Sequence, residues 1–270
     1  MKILFTDLDG TLLTDDKKIS DADLKNIRQM TDKGNQFVIA SGRPLPSVLE
    51  LSEQYGLIRP GFYVSCFNGS VIYDCYNKKT VQRITVPFDD VQYLFDEAVK
   101  EGLHVHTYSD TEIIAAASTP ELEHYLKHIH MPGVITTDFK AHMEHEPSKI
   151  IVMSFESRDR LIRFEKDHEI YTKNRLNTTY SCDFMLEYSS LNGSKGNSLL
   201  AMCQFLGIPV SESIAVGDEE NDLSMICAAG VGVVMKNGKD SVKEYADYIT
   251  ENDNNHNAIS EIIERFILQQ

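Results

Sequence analysis

Four short apolar runs constrain this chain more than any other feature: Lys2–Thr6, Phe37–Ala40, Ser213–Val216 and Val231–Val234. Each reads as a buried strand, because a continuous apolar run of four or so residues suits a strand covered on both faces. Helix-length segments separate or follow them. Ser20 stands where an N-cap belongs, with Asp23 at N3, Ile19 and Leu24 at staple spacing, and Gly34 at the position of a C′ residue. Further helical stretches are predicted at Ser194–Leu206, Asn221–Ala228 and Asp240–Ala246. Strand–helix alternation at both ends of a chain predicts an α/β fold, a mostly parallel sheet with helices on both faces. Phe67-Asn-Gly-Ser70 reads as a hairpin turn between two apolar runs.

The middle of the chain has a different pattern. Helices are predicted at Pro87–Glu101, Pro120–His130 and Arg158–His168, with strand-like runs at His104–Tyr108, Glu112–Ala116, Lys149–Phe155 and around Thr178–Tyr188. Two rounds of strands plus helix predict an inserted α+β domain over residues 83–186, dividing a core of residues 1–82 and 187–270. Eight of the nine histidines fall between His104 and His168. His104 and His106 would share a strand face, His124 and His128 a helix face, with His142 and His145 nearby. A Zn²⁺ site needs tighter spacing and usually a thiolate, so a polar, solvated surface is the favoured reading. Lys173 and Arg175 could greet an anion, but single cations on such a surface usually face water.

Charge narrows the class of partner. The chain has 26 basic and 41 acidic residues, a net charge of −15, which excludes the electrostatic footprint of a nucleic-acid or anionic-membrane binder. An anionic substrate would then need a local cation, and a bound metal is the usual device. Five scattered cysteines (Cys66, Cys75, Cys182, Cys203, Cys227) form no CxxC pair and read as reduced, core-packing thiols. Asp7 comes too early for the apolar core of a signal peptide, and no apolar run approaches membrane-spanning length. A cytoplasmic protein is expected, as monomer or homodimer.

Four motifs carry chemistry. Asp7-Leu-Asp9-Gly10-Thr11 follows the first strand, placing two carboxylates where open α/β sheets bind ligands, one able to attack phosphorus and the other to move protons. A solvated turn would have a similar composition. Gly217-Asp218-Glu219-Glu220-Asn221-Asp222 follows another strand and offers hard oxygens suited to Mg²⁺. An acidic helix start explains those acids, but not their recurrence at the sheet edge that carries Asp7. Ser41-Gly42-Arg43 can cradle an oxyanion as it leads into a helix, though an ordinary strand-to-helix turn reads the same. In Gly193-Ser194-Lys195-Gly196, a lysine at a helix start opposes the dipole, and a bound phosphate would supply the reason, though an exposed lysine is the commoner case for any single Lys.

Together DLDGTL, SGR, the NG turn, SKG and GDEENDLSM, in this order, resemble the haloacid dehalogenase superfamily, specifically the Cof-type phosphatases of subfamily IIB. The stretch Asn252–Ala258 departs from the Asn-x-x-Asp-Gly-Val pattern common near the C-terminus of that family. The resemblance implies a Rossmann-like core with an inserted α+β cap. It implies Asp7 as nucleophile and Asp9 as general acid and base. Thr11, Ser41, Gly42, Lys195 and Asn221 would bind phosphate. Asp7, the Asp9 carbonyl and Asp218 would hold Mg²⁺, with Asp222 supporting that set and Lys195. Asp9 would need neighbouring negative charge to raise its pKa above the usual value of about 4. The implied activity is Mg²⁺-dependent hydrolysis of small phosphorylated metabolites, sugar phosphates or a phosphorylated cofactor or its precursor. A phosphotransferase or mutase, and a non-catalytic sensor of a phosphorylated ligand, are the competing readings.

Overall fold

The computed structural model describes residues 1–129 and 131–269 and divides the chain into two compact units, Met1–Gln82 with Ser194–Gln270, and Arg83–Gly193. In chain order the strands are β1 (Ile3–Thr6), β2 (Gln36–Ala40), β3 (Phe62–Cys66), β4 (Val71–Asp74), β5 (Lys79–Arg83), β6 (His104–Tyr108), β7 (Ile113–Ala115), β8 (Gly133–Ile135), β9 (Lys149–Met153), β10 (Leu176–Cys182), β11 (Met185–Ser190), β12 (Ser213–Gly217), β13 (Val231–Val234) and β14 (Tyr248–Ile249). The helices are α1 (Asp21–Asp32), α2 (Leu45–Gln54), α3 (Phe88–Lys100), α4 (Pro120–His128), α5 (Arg158–Thr172), α6 (Lys195–Leu206), α7 (Leu223–Ala228), α8 (Asp240–Lys243) and α9 (Ala258–Ile263). Among the described residues, no helix is long and apolar enough to cross a membrane.

In the first unit the sheet order is β14-β13-β12-β1-β2-β3-β4-β5. The strands from β14 to β3 run parallel, and β4 turns back antiparallel to β3. Ile3, Phe5, Val38, Ala40 and Ala215 bury one face against Leu199, Met202 and Cys203 of α6 and Met225 of α7. The alternate residues Leu4, Phe37 and Ile39 are equally buried, on the face where α1 meets β2. The mostly parallel α/β fold expected from the apolar runs is therefore observed. The Ser20 hydroxyl caps α1 by accepting from the Asp23 N–H, and Gly34 takes a φ of +85° after it. α7 begins at Leu223 rather than Asn221, because Glu219 and Asp222 form a reciprocal capping box around a 3₁₀ turn at Glu220–Asp222.

The second unit is a six-stranded sheet in the order β10-β11-β9-β6-β7-β8. Val105, Ile150, Val152, Leu186 and Tyr188 point to one face and pack with residues of α3 and α5, such as Leu94, Phe95, Leu161 and Phe164. The boundary expected at residue 187 would cut β11, which pairs antiparallel with both β9 and β10; the unit instead ends at Gly193. α4 ends at His128, and the expected helix end at His130 lies outside the described residues.

The expectation of a solvated histidine surface fails for two residues. His104 and His106 are 4% and 0% exposed, on the face of β6 opposite Val105. A hydrogen-bonded row satisfies them. The Thr119 hydroxyl meets His104 Nδ1 at 2.9 Å, His104 Nε2 meets His106 Nδ1 at 2.8 Å, and Tyr108 follows at 3.4 Å and bonds Tyr125. Lys149 and Glu187, both buried on the neighbouring strands, pair at 2.7 Å. Lys173 and Arg175 have partners of their own, Glu169 and Asp90. Among the cysteines, Cys66, Cys75 and Cys203 are buried as expected, but Cys182 is half-buried and Cys227 exposed.

Burial lowers the His104 pKa from 6.5 to about 4, against the pull of Glu121. The neutral imidazole is thus the folded form. Its contribution is complete above about pH 6.5 and is lost as pH falls toward 4, up to about 3 kcal/mol for a shift of this size. We expect urea-unfolding free energies to decline across that window, and His104→Gln to make the decline shallower. An unchanged slope in the variant would assign the titration to another group.

Candidate active site

The chain runs from β1 outward to β2 and β3 on one side and from β12 outward to β13 and β14 on the other. A parallel sheet opens a crevice beyond its carboxyl ends where the strand order reverses, here between β1 and β12. Asp7 leaves β1 with its N–H still bonded to the Val216 carbonyl of β12 at 2.9 Å, and Asp218 follows β12 directly. Ser41 leaves β2 with its N–H on Ser65. Lys195 opens α6, whose first turn is capped by the Ser194 hydroxyl. Four segments far apart in sequence thus end at one place.

At the centre, Lys195 Nζ lies 2.5 Å from Asp7 Oδ1 and 2.6 Å from Asp222 Oδ1. All three side chains are buried. Two carboxylates meet the cation at this helix start. Burial works against the Lys195 charge, but Asp7 and then Asp222 more than compensate and hold its pKa above the ordinary lysine value. Burial likewise pushes the Asp7 carboxyl up, with Lys195 opposing and Asp222 reinforcing. Asp222 is fully engaged, since its Oδ2 also accepts the Asp218 and Glu219 N–H groups at 3.0 Å each. It ties the loop after β12 to the lysine.

Asp218 is pushed up to about 6 by burial, with the Thr11 hydrogen bond opposing and the Asp222 and Glu219 charges reinforcing. Thr11, a phosphate-binding candidate, donates its buried hydroxyl to Asp218 Oδ1 at 2.7 Å. Gly10 makes this approach possible. It has a φ of +81°, and a Cβ there would lie 2.5 Å from Asp218 Oδ2. Sequence reasoning missed Asn237, whose amide donates to the Gly10 carbonyl at 2.8 Å.

Carboxylate oxygens of Asp7, Asp218 and Asp222 lie within 4.8 Å of one another, and among the described residues no other His, Cys, Asp or Glu grouping could hold a metal. Three buried carboxylates share one buried ammonium, leaving a surplus of negative charge that burial makes costly. An all-oxygen, carboxylate-rich set of this kind fits a hard divalent cation such as Mg²⁺.

Asp9 has a setting the sequence did not suggest. Arg43 grips it with Nε at 2.9 Å and Nη2 at 2.8 Å, and Lys17 adds a contact at 2.7 Å. Burial acts to raise its pKa, but Arg43 and then Lys17 outweigh burial and hold it below the usual value. The expected upward shift is therefore absent in this arrangement, because the nearest charges are cations.

The remaining phosphate-binding candidates gather around a turn read from sequence only as a hairpin connection. Ser41 is buried, and its hydroxyl oxygen accepts the Arg43 N–H at 3.2 Å. The Asn68 N–H bonds the Ser41 carbonyl, and the Phe67 N–H bonds Arg43. A Cβ on Gly42 would lie 3.0 Å from Asn68 Oδ1. Asn221 is exposed, and its amide reaches Asn68 Oδ1 at 3.4 Å. The Asn-Gly dipeptide was the one signal available for this turn.

A family model for haloacid dehalogenase-like hydrolases matches residues 4–263. The chain is 32% identical to the 5-amino-6-(5-phospho-D-ribitylamino)uracil phosphatase YcsE of Bacillus subtilis, over 99% of this chain and 96% of that one. It is 29% identical to the phosphatase of the same name YitU, also of Bacillus subtilis, over 92% of this chain and 91% of that one. A solved haloacid dehalogenase-like hydrolase from Bacteroides thetaiotaomicron superposes with a TM-score of 0.89 at 30% identity, covering 98% of each chain. With a single model spanning both ends of the chain, the strand-end carboxylates and the α6 lysine belong to a member of the haloacid dehalogenase-like hydrolase family.

Proposed function

We propose that this protein is a Mg²⁺-dependent phosphatase of small phosphorylated metabolites that works through an aspartyl-phosphate on Asp7. The observation that carries the reading is the buried Asp7–Lys195–Asp222 array beside Asp218, at the strand-order switch point. A phosphate monoester resists hydrolysis because an anion must attack an anion. A site that attacks with a carboxylate therefore needs fixed positive charge at the phosphoryl oxygens.

Asp7 Oδ1 is tied to Lys195, which leaves Oδ2 to attack phosphorus in line with the leaving oxygen. The bond to the leaving oxygen breaks as the Asp7–phosphorus bond forms, and Asp9 supplies the proton that the departing alkoxide takes up. Asp9 then removes a proton from water, which attacks phosphorus and restores the Asp7 carboxylate. To donate, Asp9 must give up its Arg43 and Lys17 contacts, take a proton from solvent as that release lets its pKa rise, and turn to the leaving oxygen. A bound phosphoryl group offers those cations a competing anion. Lys195 and the Ser41–Gly42 segment would neutralise and orient the phosphoryl oxygens. Asp7, Asp218 and the Asp9 carbonyl would hold Mg²⁺, with Thr11 and Asp222 fixing Asp218 from its side chain and its backbone. When bound, the cation supplies charge that stabilises the phosphoryl oxygens in the transition state.

Choice of metabolite is assigned to the inserted Arg83–Gly193 unit, as the family resemblance implies. The printed activity of YcsE and YitU makes a phosphorylated ribitylamino-pyrimidine the first substrate to try, ahead of a panel of sugar phosphates.

Chelation should abolish turnover and added Mg²⁺ should restore it. Asp218→Ala should raise the Mg²⁺ concentration for half-maximal rate at least roughly ten-fold, as expected when a charged ligand is lost. Full turnover in metal-free buffer would refute the assignment.

Asp7→Asn should eliminate turnover of every ester. Asp9→Asn should release about one phenolate per site from an aryl phosphate in a burst, then turn over slowly, since a good leaving group needs no acid but the intermediate still needs a base. An alkyl phosphate should give no burst. Stopped-flow phenolate release, with acid-quenched protein mapped for bound phosphate, checks both. Activity in Asp7→Asn, or phosphate mapped elsewhere, would reassign the nucleophile.

A further inference from the structure

Phe67, Asn68 and Gly69 occupy the left-handed region in succession, at φ of 51°, 54° and 96°. Glycine takes this conformation freely and asparagine tolerates it, but for a buried phenylalanine it is costly. A tight β-hairpin needs at most two such residues. A third, paid in backbone strain of roughly 1–3 kcal/mol, persists where the surroundings enforce it, and such strain clusters at functional sites. The surroundings here are the candidate active site itself. Gly69 is pressed so closely on α6 that a Cβ would lie 2.1 Å from the Ser194 carbonyl oxygen and 3.0 Å from the Lys195 nitrogen. The turn bonds the Ser41 and Arg43 carbonyls through its own N–H groups, and Asn221 reaches it from the loop after β12.

The strained turn thus holds one polar side chain among three of the four motifs. Asn68 is half-buried, with its carbonyl oxygen accepting from Asn221 and lying beside Gly42. Its amide nitrogen has no partner among the described residues, although that group carries two donors. The Ser41 hydroxyl accepts from Arg43 and likewise donates to no described residue. Two uncommitted donors, on a turn packed against the start of α6 and on the segment bonded to that turn, suit a ligand made of acceptors.

We propose that Asn68 is a substrate-binding residue whose amide donates to a phosphoryl oxygen, alongside Ser41 and Lys195, and that the left-handed turn exists to hold it there. The inference rests on the phosphatase reading and adds to it a residue that enters through backbone conformation. The substrate class it recognises is a phosphate monoester, with inorganic phosphate as its simplest representative.

The test uses the full-length protein with Mg²⁺ and compares Asn68→Gly with Asn68→Asp. Glycine keeps the left-handed turn and removes the amide. Aspartate keeps the shape and tolerates the backbone, but places a carboxylate where the donor was. Inorganic phosphate is the probe, read by calorimetry and by competitive inhibition, with melting temperature measured alongside. A hydrogen bond to a charged acceptor corresponds to roughly ten- to hundred-fold in affinity. We expect Asn68→Gly to weaken phosphate binding by that factor at an unchanged melting temperature, with kcat/KM falling in parallel. Asn68→Asp should bind more weakly still. Wild-type phosphate affinity in both variants would overturn the proposal, as would a loss accompanied by a fall in melting temperature in the glycine variant, which would make the turn structural only. Failure of the underlying reading looks different: the wild-type protein would hydrolyse no ester, while calorimetry would still report on Asn68.

Discussion

A single ammonium group buried between two carboxylates organises the catalytic unit. Lys195 touches Asp7 from β1 and Asp222 from the turn before α7. Asp222 in turn fixes the backbone of Asp218 and Glu219, and the backbone of Lys195 is the surface on which Gly69 packs. Removing one member of a buried ionic set costs about 3–5 kcal/mol, because the others keep their desolvation penalty without their compensation. The same residues that hold the loops in register are those proposed to act on phosphorus. Stability and chemistry here draw on one set of charges, and the unspent negative charge around Asp218 is what a divalent cation would satisfy.

The inserted unit handles buried polarity in another way. His104 and His106 are kept neutral and joined in a hydrogen-bonded row that ends in two tyrosines, while the one strongly charged pair on that face, Lys149 with Glu187, is matched one to one. A group of neutral imidazoles needs no ion, which is why a cluster of histidines in sequence became a packed surface of the sheet.

What was legible in the sequence follows from this division. The parallel core could be read because β1, β2, β12 and β13 are mostly apolar, and the caps of α1 are spelled in single residues such as Ser20 and Gly34. Asp7, Asp9, Lys195 and Asp218 were marked by their places after strands or at a helix start, and the structure brings Asp7, Lys195 and Asp218 to one spot. Their partners were not legible. That Thr11 serves Asp218, that Arg43 and Lys17 grip Asp9, and that Asn237 pins Gly10 depend on side-chain directions across loops, which no spacing encodes. The His104–His106 pair was misread because alternation along β6 shows which residues share a face, not which face α4 covers. The end of the inserted unit was placed early, at residue 186, because the last strand-like run was followed only to about Tyr188, whereas β11 continues to Ser190 and the unit to Gly193.

The position of β1 bears on how such a chain is made. Its neighbours in the sheet are β2, which begins at Gln36, and β12, which begins at Ser213. The inserted unit is one uninterrupted stretch from Arg83 to Gly193. On the ribosome, chains fold domain by domain as they emerge. All strands of the inserted sheet have been synthesised before the first residue of β12 exists. Until then β1 has one bare edge, and Asp7 has no Lys195 until α6 begins, after the inserted unit is complete. The nascent chain therefore completes its interrupting unit first and seals the interrupted one last, and the centre proposed to bind phosphate is among the final parts to come together.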